Sequence, residues 1–458
     1  MVKKPVINGY DDNGIPYIAI SDDNWIDWED RNLSTELSEV EQKSPGIDKP
    51  FLVITLVILL IGVIMVLSAS FARGYYMSSD PLWLFTRQFI FAISGVALML
   101  ITSRIRARTI SRFSMQLLLI SMLLLVLVLI IGNKVNGARR WIGIGGESSS
   151  LTFQPSEIAK LALILSFAQM SCKIGKKRMK TFKFGVIPFA IVTVIMVILL
   201  RFEPHLSAMI IITALAAIMM FAAGTRLRWF LIAVAVLIAM ISGFVFFQLR
   251  STAPDVGMSE VSMDTVRNHV NFNGLGYEGR RIGAWLNPDA DPLRDGFQIR
   301  QSLNAVGSGG LLGLGLGQSR QKHLYLPEEH NDYIFAIVCE ELGFIGAMLI
   351  LMLFVLLIVR GYWLAMHAKD KFSSLITVGI TSLLAIQVFL NVAVVTNLLP
   401  ATGISLPFFS YGGTAIWIQL IQMGIILAVS REIPLSRELK NPTSTKQPTK
   451  QPVKQPVK

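Results

Sequence analysis

Long apolar segments recur along this chain, and short polar segments separate them. A helix that crosses a membrane needs about 20 mostly apolar residues. Ten stretches fit that description, at residues 51–70, 87–103, 113–132, 156–172, 184–202, 206–223, 229–249, 332–359, 373–398 and 412–430. Helix is the expected conformation, because an isolated strand would leave its backbone hydrogen bonds unmade in lipid. The pattern predicts an all-α polytopic membrane protein with about ten transmembrane helices. The fourth and sixth segments are short and have Glu157, Lys160 and His205 at or near their ends.

The amino-acid composition agrees with a membrane location. Hydrophobic residues make up 53% of the 458 positions without counting glycine, and charged residues make up 16%. A soluble globular chain has about 45–50% apolar residues with glycine included, and about 25% charged ones. Only two cysteines, Cys172 and Cys339, are present, so no disulfide framework is available. These values disfavour a cytosolic enzyme, a disordered scaffold and a disulfide-stabilised secreted domain.

Basic residues in alternate short loops predict the orientation of the helices. Cytoplasmic loops of membrane proteins carry an excess of Lys and Arg. The net charge of +12 therefore fits membrane topology better than nucleic-acid binding. Both termini are predicted to be cytoplasmic, and a large loop at about 250–331 is predicted to be extracellular. The loops predicted to be cytoplasmic hold Arg104, Arg106, Arg108 and Arg112; Lys173, Lys176, Lys177, Arg178, Lys180 and Lys183; Arg226 and Arg228; and Arg360, Lys369 and Lys371. Three external cations, Lys134, Arg139 and Arg140, break this rule and are candidates for a function.

Two polar tails flank the predicted membrane domain, which covers residues 51–431. Residues 1–50 contain five basic and eleven acidic side chains and are predicted to form an acidic, mostly disordered cytoplasmic tail. They do not resemble a signal peptide, which would have a basic start and an early apolar run. Residues 432–458 are basic and rich in Pro, Gln and Lys, and are predicted to be extended and solvated.

Ionisable and polar residues gather at the predicted outer ends of the helices. Such residues are costly within a membrane and are usually functional. Their one-sided placement indicates a cavity that opens outward, whereas a conduction pathway would need polar groups along its whole depth. The residues concerned are Arg87, Glu157, Lys160, Glu203, His205, Asp332, Glu340, Glu341, Asn391 and Asn397.

Two acidic motifs within these helices leave alternatives open. Glu157 and Lys160 are three residues apart, so they share a helix face and can neutralise each other. They could belong to the site, or they could be a buried ion pair that only fixes packing. Glu340 and Glu341 point about 100° apart on a helix, so we expect one to be buried and the other to line the cavity mouth.

The predicted external loop holds further candidates. Arg280 and Arg281 suit a phosphate or diphosphate group, and a carboxylate beside them could act as a general base. Glu328, His330 and Asp332 could form a metal site, although helix capping by Asn331 or Asp332 is the favoured role for those two residues. The glycine run at 307–317 lacks the Gly-Lys-Ser/Thr ending of a nucleotide P-loop. Close helix packing or a hinge is its predicted use.

Several motifs occur together in an order that is typical of one family. They are Asn136–Ile142, Gln154–Lys160, Asn287–Leu303, Tyr325–Glu328 followed by His330 and Asp332, and Pro400–Gly403 followed by Leu406–Gly413. With them the chain resembles, from about residue 51 to 432, the SEDS family (shape, elongation, division and sporulation), which includes the FtsW, RodA and SpoVE proteins. Tyr325–Glu328, Gln321–Lys322 and Glu203–Leu206 favour the FtsW and SpoVE branch over the RodA branch.

The resemblance implies a function and a set of site residues. Such proteins are ten-span peptidoglycan glycosyltransferases that polymerise lipid II on the outer face of the bacterial cytoplasmic membrane. They work with a class B penicillin-binding protein, and the FtsW-like branch implies other divisome partners at the division septum. The essential aspartate of the family aligns with Asp291, and Asp289 and Asp295 are nearby candidates of lower rank. The important tryptophan and charged pair of the family align with Trp141, Glu157 and Lys160.

Further candidate roles rest on this implied reaction. Arg139, Arg140, Arg280, Arg281 and Lys160 are candidates to hold the diphosphate, and the candidate substrate-binding set also includes Gln298, Lys322, Glu328 and His330. A divalent cation, Mg²⁺ or Mn²⁺, could assist the diphosphate, but no metal ligand is assigned. Three alternatives remain: a lipid II flippase, a RodA-like polymerase for cell elongation, and a scaffold that recruits partners through its tails.

Overall fold

A computed structural model describes residues 6–10, 16–19, 46–135, 138–144, 151–252, 276–289 and 295–433 of the chain. The chain divides into two units, Met1–Pro45 and Gly46–Lys458. In the first unit, β1 (Val6–Tyr10) and β2 (Pro16–Ala19) pair antiparallel, with Val6 opposite Ala19. These two strands were not predicted from the sequence. Most of the predicted acidic tail and nearly all of the basic C-terminal tail lie outside the described residues.

The second unit is a bundle of long helices. Its first part contains α1 (Lys49–Ser78), α2 (Trp83–Thr102), α3 (Ala107–Ile131), β3 (Asn133–Val135), β4 (Ala138–Ile144), β5 (Leu151–Phe153), α4 (Pro155–Ile174), α5 (Lys176–Met179), α6 (Phe182–Gly185), α7 (Ile187–Phe202) and α8 (Leu206–Ala223). Its second part contains α9 (Leu227–Thr252), α10 (Gly276–Leu286), α11 (Asp295–Ser308), α12 (Ile334–Met366), α13 (Lys371–Val395) and α14 (Gly413–Arg431). A long helix lies over each of the ten segments that the apolar pattern predicts.

Eight of the described helices are long and apolar enough to cross a membrane, with α6 and α7 counted as one. The other two predicted spans correspond to α4 and α9. In α4, Glu157 and Lys160 lower the hydropathy, yet 14 of its 20 residues are buried. This helix packs against α3, α8 and α13, so protein rather than lipid surrounds it. The count of ten spans stays a prediction, as does the orientation of the bundle.

Helices α13 and α14 form the centre of the bundle. In each, 72% of the most apolar window is buried, compared with 28% in α3. A helix surrounded by lipid needs no polar partners, whereas α13 and α14 contribute buried polar side chains such as Asn391 and Gln419. These polar groups accept or donate hydrogen bonds within the bundle, and they stabilise the loop between the two helices: Asn391 donates to Ile404 O and Gln419 accepts from Phe408 N.

A small sheet adds to the predicted all-α architecture. Strands β3, β4 and β5 pair antiparallel in that order, with Asn133 opposite Trp141 and Ile142 opposite Phe153. This sheet lies between the end of α3 and the start of α4, so it fixes Arg139, Arg140 and Trp141 near the start of α4. Sequence analysis identified these residues as a motif but did not predict strands.

The glycine run packs against a break in α12, as the prediction of close packing required. Gly343 has φ 67° and ψ −172°, which interrupts the helix. The amides of Leu314 and Gly315 donate to the carbonyls of Glu340 and Glu341, at 3.0 Å each. A Cβ on Gly313 would lie 2.2 Å from Glu341 O, so only glycine permits this approach.

Two predictions about this region were wrong. Glu340 and Glu341 are both fully buried, because the glycine run folds back over the side of α12 that was expected to face the cavity mouth. Neither Asn331 nor Asp332 caps α12: the capping position is Tyr333, which makes no capping hydrogen bond through its side chain.

Candidate functional site

A cavity of about 710 Å³ lies at one end of the bundle. Its wall includes the first turns of α4, α8 and α14 together with residues from β4, α10 and the segment before α12. We call this end of the bundle the cavity end. Pockets for small ligands have volumes of about 300–1,000 Å³, so the space suits a sizeable polar group. The positive-inside rule predicts that this end is external.

Glu157 and Lys160 form one wall of the cavity. Pro155 occupies the first turn of α4, where its missing amide is tolerated, and the two charged residues follow it on one face. Lys160 Nζ lies 2.7 Å from Glu157 Oε1, and both side chains are buried. The prediction that they share a face and neutralise each other is confirmed. Both residues line the cavity, so they are available to a ligand.

Three arginines from distant parts of the chain form the rest of the cationic lining. Arg140 of β4 donates to Pro204 O, and Arg281 of α10 donates to Ala401 O at 2.9 Å. Arg73 of α1 lies 2.9 Å from the carboxylate of Glu329. Arg73 was not among the predicted site residues, because the apolar pattern ends the first span at residue 70 whereas α1 continues to Ser78. A charged residue that follows directly after the apolar segment was the signal in the sequence that could have identified Arg73.

Carboxylates face these cations across the cavity. Asp332 and Glu328 both line it. Burial raises the pKa of Asp332 to about 6, and the negative charge of Glu328 acts in the same direction. The charges of Arg281 and Arg140 oppose that rise. The backbone carbonyl of Asp332 accepts a hydrogen bond from Asn391 at 2.8 Å, which fixes the residue to α13.

The turn between α7 and α8 adds two buried titratable groups. Burial raises the pKa of Glu203 to about 8, against the opposing charge of Arg140. Burial lowers the pKa of His205, and the nearby charges of Arg140 and Lys160 lower it further. Because its pKa is lowered, His205 is neutral near pH 7. Its side chain lines the cavity, and its Nε2 lies 3.4 Å from Gln154 Nε2. The two groups hold no charge that would compete with the cations for an anionic ligand.

The structure places some of the predicted site residues in the cavity wall and others elsewhere. Those that line the cavity are Arg140, Trp141, Glu157, Lys160, Arg281, Gln298, Glu328 and His330. Arg139 instead donates to Leu129 O at 2.8 Å, and Arg280 is exposed and does not line the cavity. Lys322 is buried away from the cavity, 3.0 Å from Glu341. Asp291, the predicted catalytic residue, lies outside the described residues.

The described residues supply no set of metal ligands. Among them, no group of three or more His, Cys, Asp or Glu side chains could hold a metal ion. Glu328, His330 and Asp332 share the cavity wall but do not form such a group. The described part of the site therefore does not fit a dedicated divalent-cation site.

Comparison with known proteins assigns the chain to a family. A profile of the FtsW, RodA and SpoVE family, described as cell cycle protein, matches residues 49–434. The chain belongs to this family. The resemblance that the sequence motifs indicated is thereby confirmed. Stage V sporulation protein E of Bacillus subtilis is 41% identical over 391 residues, which cover 85% of this chain and 98% of that protein. A "Probable peptidoglycan glycosyltransferase FtsW" of Trichlorobacter lovleyi is 39% identical over 82% of this chain and 91% of that protein.

Solved structures of the FtsW, RodA and SpoVE family share the fold. A chain from a peptidoglycan synthase complex, described as coordinating polymerization and crosslinking, superposes with a TM-score of 0.66 at 26% identity, covering 84% of this chain and 98% of that one. The rod shape determining protein RodA of Thermus thermophilus gives a TM-score of 0.58 at 25% identity, covering 86% and 99%. The polytopic helical fold predicted from the apolar segments is confirmed by these structures.

Proposed function

We propose that this protein is a membrane peptidoglycan glycosyltransferase that polymerises lipid II. The observation that carries the proposal is the convergence of Lys160, Arg140 and Arg281 with Glu157 in one cavity of a chain of this family. Lipid II joins a disaccharide to undecaprenyl through a diphosphate, so its recognition needs cations close to the membrane surface. The relatives named as peptidoglycan glycosyltransferases and the fold shared with a peptidoglycan synthase complex support this assignment.

The proposed reaction forms one glycosidic bond for each lipid II consumed. The 4-hydroxyl of a GlcNAc attacks the anomeric carbon of a second lipid-linked sugar, and the bond from that carbon to the diphosphate oxygen breaks. The hydroxyl proton passes to a general base, and undecaprenyl diphosphate leaves with the bonding electrons. Lys160, Arg140 and Arg281 stabilise the charge that develops on the leaving diphosphate. Arg73 also lines the cavity, where its guanidinium lies 2.9 Å from the carboxylate of Glu329.

Asp291 is the proposed general base. This role rests on the family motif at Asn287–Leu303, since Asp291 is not among the described residues. Asp332 is the neighbouring carboxylate of the described wall, and its pKa of about 6 leaves it mostly ionised at neutral pH. No step of this proposal passes through a metal ion, and the assistance of Mg²⁺ or Mn²⁺ to the diphosphate stays a prediction.

The cellular role is proposed to be septal cell wall synthesis in the bacterial cytoplasmic membrane, together with a class B penicillin-binding protein and other divisome proteins. The proposed partner supplies the transpeptidase that crosslinks the new strands. The similarity to a chain of a peptidoglycan synthase complex supports such a partner, and the names of the FtsW relatives support division. The 41% identity to a sporulation protein makes sporulation the second candidate role.

The test is a glycan-polymerisation assay with purified lipid II and the full-length protein, with and without its transpeptidase partner. The wild type is expected to make glycan strands, and Asp291→Asn is expected to bind lipid II and make none. Full polymerisation by Asp291→Asn would overturn the base assignment. Activity that is unchanged by EDTA would agree with the absence of a ligand set among the described residues.

A lipid II flippase is the rival function, since a helical bundle with a polar cavity would also suit transport. The buried charged side chains of the described cavity lie at one end of the bundle rather than along a path through it. This arrangement favours an enzyme, because transport needs polar groups along the whole path. Liposomes with lipid II in one leaflet separate the two functions. Movement of lipid II to the other leaflet without any polymer would replace the glycosyltransferase proposal.

A further inference from the structure

A strongly basic surface lies at the end of the bundle opposite the cavity. Two short helices, α5 and α6, connect α4 to α7 there, and the link between α8 and α9 lies beside them. Helix α4 has 20 residues, so at about 1.5 Å per residue it separates this surface from the cavity by about 30 Å. The basic surface comprises eight exposed cations, namely Lys173, Lys176, Lys177, Arg178, Lys180, Lys183, Arg226 and Arg228.

Contacts between the two connections make this a single surface. Thr225, which is buried, donates through Oγ1 to Gly185 O at 3.2 Å. The rings of Phe182 and Trp229 lie 4.7 Å apart, and Arg228 lies over the Trp229 ring at 4.6 Å. The cations of both connections therefore face the same volume outside the bundle.

The two connections that form this surface contain no acidic residue of their own. Between Lys173 and Phe202, and again between Gly224 and Thr252, the sequence contains no Asp or Glu. Within the described residues, none of the eight cations forms an ion pair with a carboxylate. Eight like charges that share one surface repel one another, so the surface is expected to attract an anionic ligand.

Other basic segments at the same end of the bundle have a carboxylate close by. Arg360 of α12 pairs with Asp48, with its Nε 3.2 Å from Oδ1. The loop that holds Arg104 and Arg106 contacts Glu432, whose carboxylate accepts from Ala107 N at 3.2 Å. An excess of cations in loops is enough to orient a membrane protein, but that rule does not explain why eight exposed cations share one surface. The described carboxylate of Asp370 lies near Cys172 beside this surface, but it caps α13 and forms no ion pair with any of the eight cations.

Exposed apolar side chains stand among the cations. Phe182 is 48% exposed, Phe184 is 43% exposed and Leu227 is 56% exposed. Arg178 and Lys183 both lie within 6 Å of the Phe184 ring, at 5.7 and 5.9 Å. A soluble anion would make no apolar contact with these rings. Aromatic residues beside Lys and Arg are typical of the level of lipid headgroups. Because α4, α7, α8 and α9 all begin or end here, this level coincides with the membrane boundary.

We propose that the basic surface is a binding site for anionic phospholipid headgroups. The cations bind the phosphates, and Phe182, Phe184 and Leu227 insert between the lipids. This site is separate from the proposed catalytic cavity, so it does not depend on the glycosyltransferase assignment. The proposal concerns the lipids of the host membrane rather than a soluble phosphate or another protein.

The test measures how many lipid molecules the full-length protein binds. Purified protein in a neutral detergent is titrated with phosphatidylglycerol and, separately, with phosphatidylcholine, and bound lipids are counted by native mass spectrometry. The test variant carries Lys176→Gln, Lys177→Gln, Lys180→Gln and Lys183→Gln. A Lys or Arg near an anionic surface strengthens binding roughly fivefold, so this variant is expected to bind phosphatidylglycerol at least about tenfold more weakly, with phosphatidylcholine unchanged.

A matched control removes four charges elsewhere at the same end of the bundle. It carries Arg104→Gln, Arg106→Gln, Arg108→Gln and Arg112→Gln. Because Phe182, Phe184 and Leu227 do not accompany these charges, the control is expected to bind phosphatidylglycerol several-fold more tightly than the test variant does. Equal losses in the two variants would overturn the proposal, because net charge alone would then explain binding. A version with Arg in place of Lys176, Lys177, Lys180 and Lys183 keeps the charge and is expected to bind as the wild type does, which separates lost binding from lost folding.

Two further experiments test which ligand binds the basic surface. Water-soluble glycerol phosphate at the concentration of the lipid is expected to leave lipid binding unchanged, and full competition would assign the surface to a soluble anion instead. Removal of residues 1–45, which are acidic, is expected to change lipid binding less than twofold. Binding that emerges only after this removal would show that the N-terminal segment is the occupant, and it would overturn the lipid proposal.

Discussion

Two buried Lys–Glu pairs in this molecule have the same charges but different surroundings. Lys160 lies 2.7 Å from Glu157 on one helix face, and both residues line the cavity. Lys322 lies 3.0 Å from Glu341, which belongs to another element and is fully buried away from the cavity. The sequence separations are 3 and 19 residues. The first pair is therefore set by the helix period, and the second by the tertiary fold.

The pairs differ most in their remaining hydrogen bonds. Glu341 also accepts from Ser68 Oγ at 2.7 Å and from Ser319 N at 3.2 Å, and Lys322 also donates to Gly317 O at 2.6 Å. In the described part of the chain, the Glu157 and Lys160 side chains have only each other. A buried ion pair repays its desolvation when its other hydrogen-bonding positions are filled. The Lys322 pair meets that condition and is structural. The Lys160 pair has hydrogen-bonding positions left that a ligand in the cavity could fill.

The largest expected effect is on stability, from Lys322→Met. This change leaves the Glu341 carboxylate buried without its counter-charge, which costs about 3–5 kcal/mol. Thermal unfolding of the purified protein in detergent is expected to show a lower midpoint. The double variant Lys322→Met with Glu341→Gln is the control, and it is expected to recover part of the loss because no uncompensated charge remains. A double variant as unstable as the single one would show that packing, not charge, dominates at this pair.

Lys160→Met is expected to have a large effect on activity and a smaller effect on stability than Lys322→Met. Glu157 faces the cavity, so loss of its partner leaves a carboxylate that water can reach. The rate of lipid II polymerisation is expected to fall about 100-fold, which corresponds to about 2.7 kcal/mol of transition-state stabilisation. Glycan formation by the purified protein measures the rate, and the unfolding midpoint supplies the comparison with Lys322→Met. A rate close to that of the wild type would make the Lys160 pair structural like the other.

Local sequence patterns predicted the long helices of the fold and one of the two Lys–Glu pairs, but none of the five described strands. The apolar segments located the long helices, and the three-residue spacing predicted that Glu157 and Lys160 share a face. Long-range contacts were not predictable in the same way. Arg73 and Glu329 are 256 residues apart, and no local rule joins them.

The error at Glu340 and Glu341 has a similar cause. Helix geometry separates neighbouring side chains by about 100°, but it does not show what covers each face. The backbone of the glycine run covers both, and it can do so because Gly343 breaks α12 at φ 67°. Sequence spacing alone gave no indication of that break. The role of Asp291 rests on the family motif, because that residue is not among those described.

Glu203 extends the comparison to a buried carboxylate with no hydrogen-bond partner for either oxygen among the described residues. Burial raises its pKa from 4.5 to about 8, so the folded state favours the protonated form. The resulting stability is fully present below pH 4.5 and is lost as pH rises through about 8, at up to about 1.4 kcal/mol per pH unit. The wild type is therefore expected to be less stable at pH 8.5 than at pH 6.5, and Glu203→Gln is expected to remove most of this difference.

The choice of pH window limits the contributions of Asp332 and His205 to the Glu203 measurement. Asp332, whose pKa is about 6, has largely finished titrating by pH 6.5. His205 has a lowered pKa and stays neutral throughout. An unchanged pH dependence in Glu203→Gln would assign the effect to other titratable groups.

The smallest expected effect comes from Ser68→Ala, which removes one hydrogen bond from Glu341. The carboxylate keeps Lys322 and the amide of Ser319, so the loss of stability is expected to be only about 1 kcal/mol. The same helix offers a matched control in Ser70, whose buried hydroxyl has no hydrogen-bond partner among the described residues. Ser70→Ala is expected to be neutral or slightly stabilising, since it removes a buried polar group that nothing satisfies. Equal unfolding midpoints for the two variants would mean that the Ser68 hydroxyl does not help to hold Glu341, and the contrast between the two Lys–Glu pairs would then rest on Lys322 and Ser319 alone.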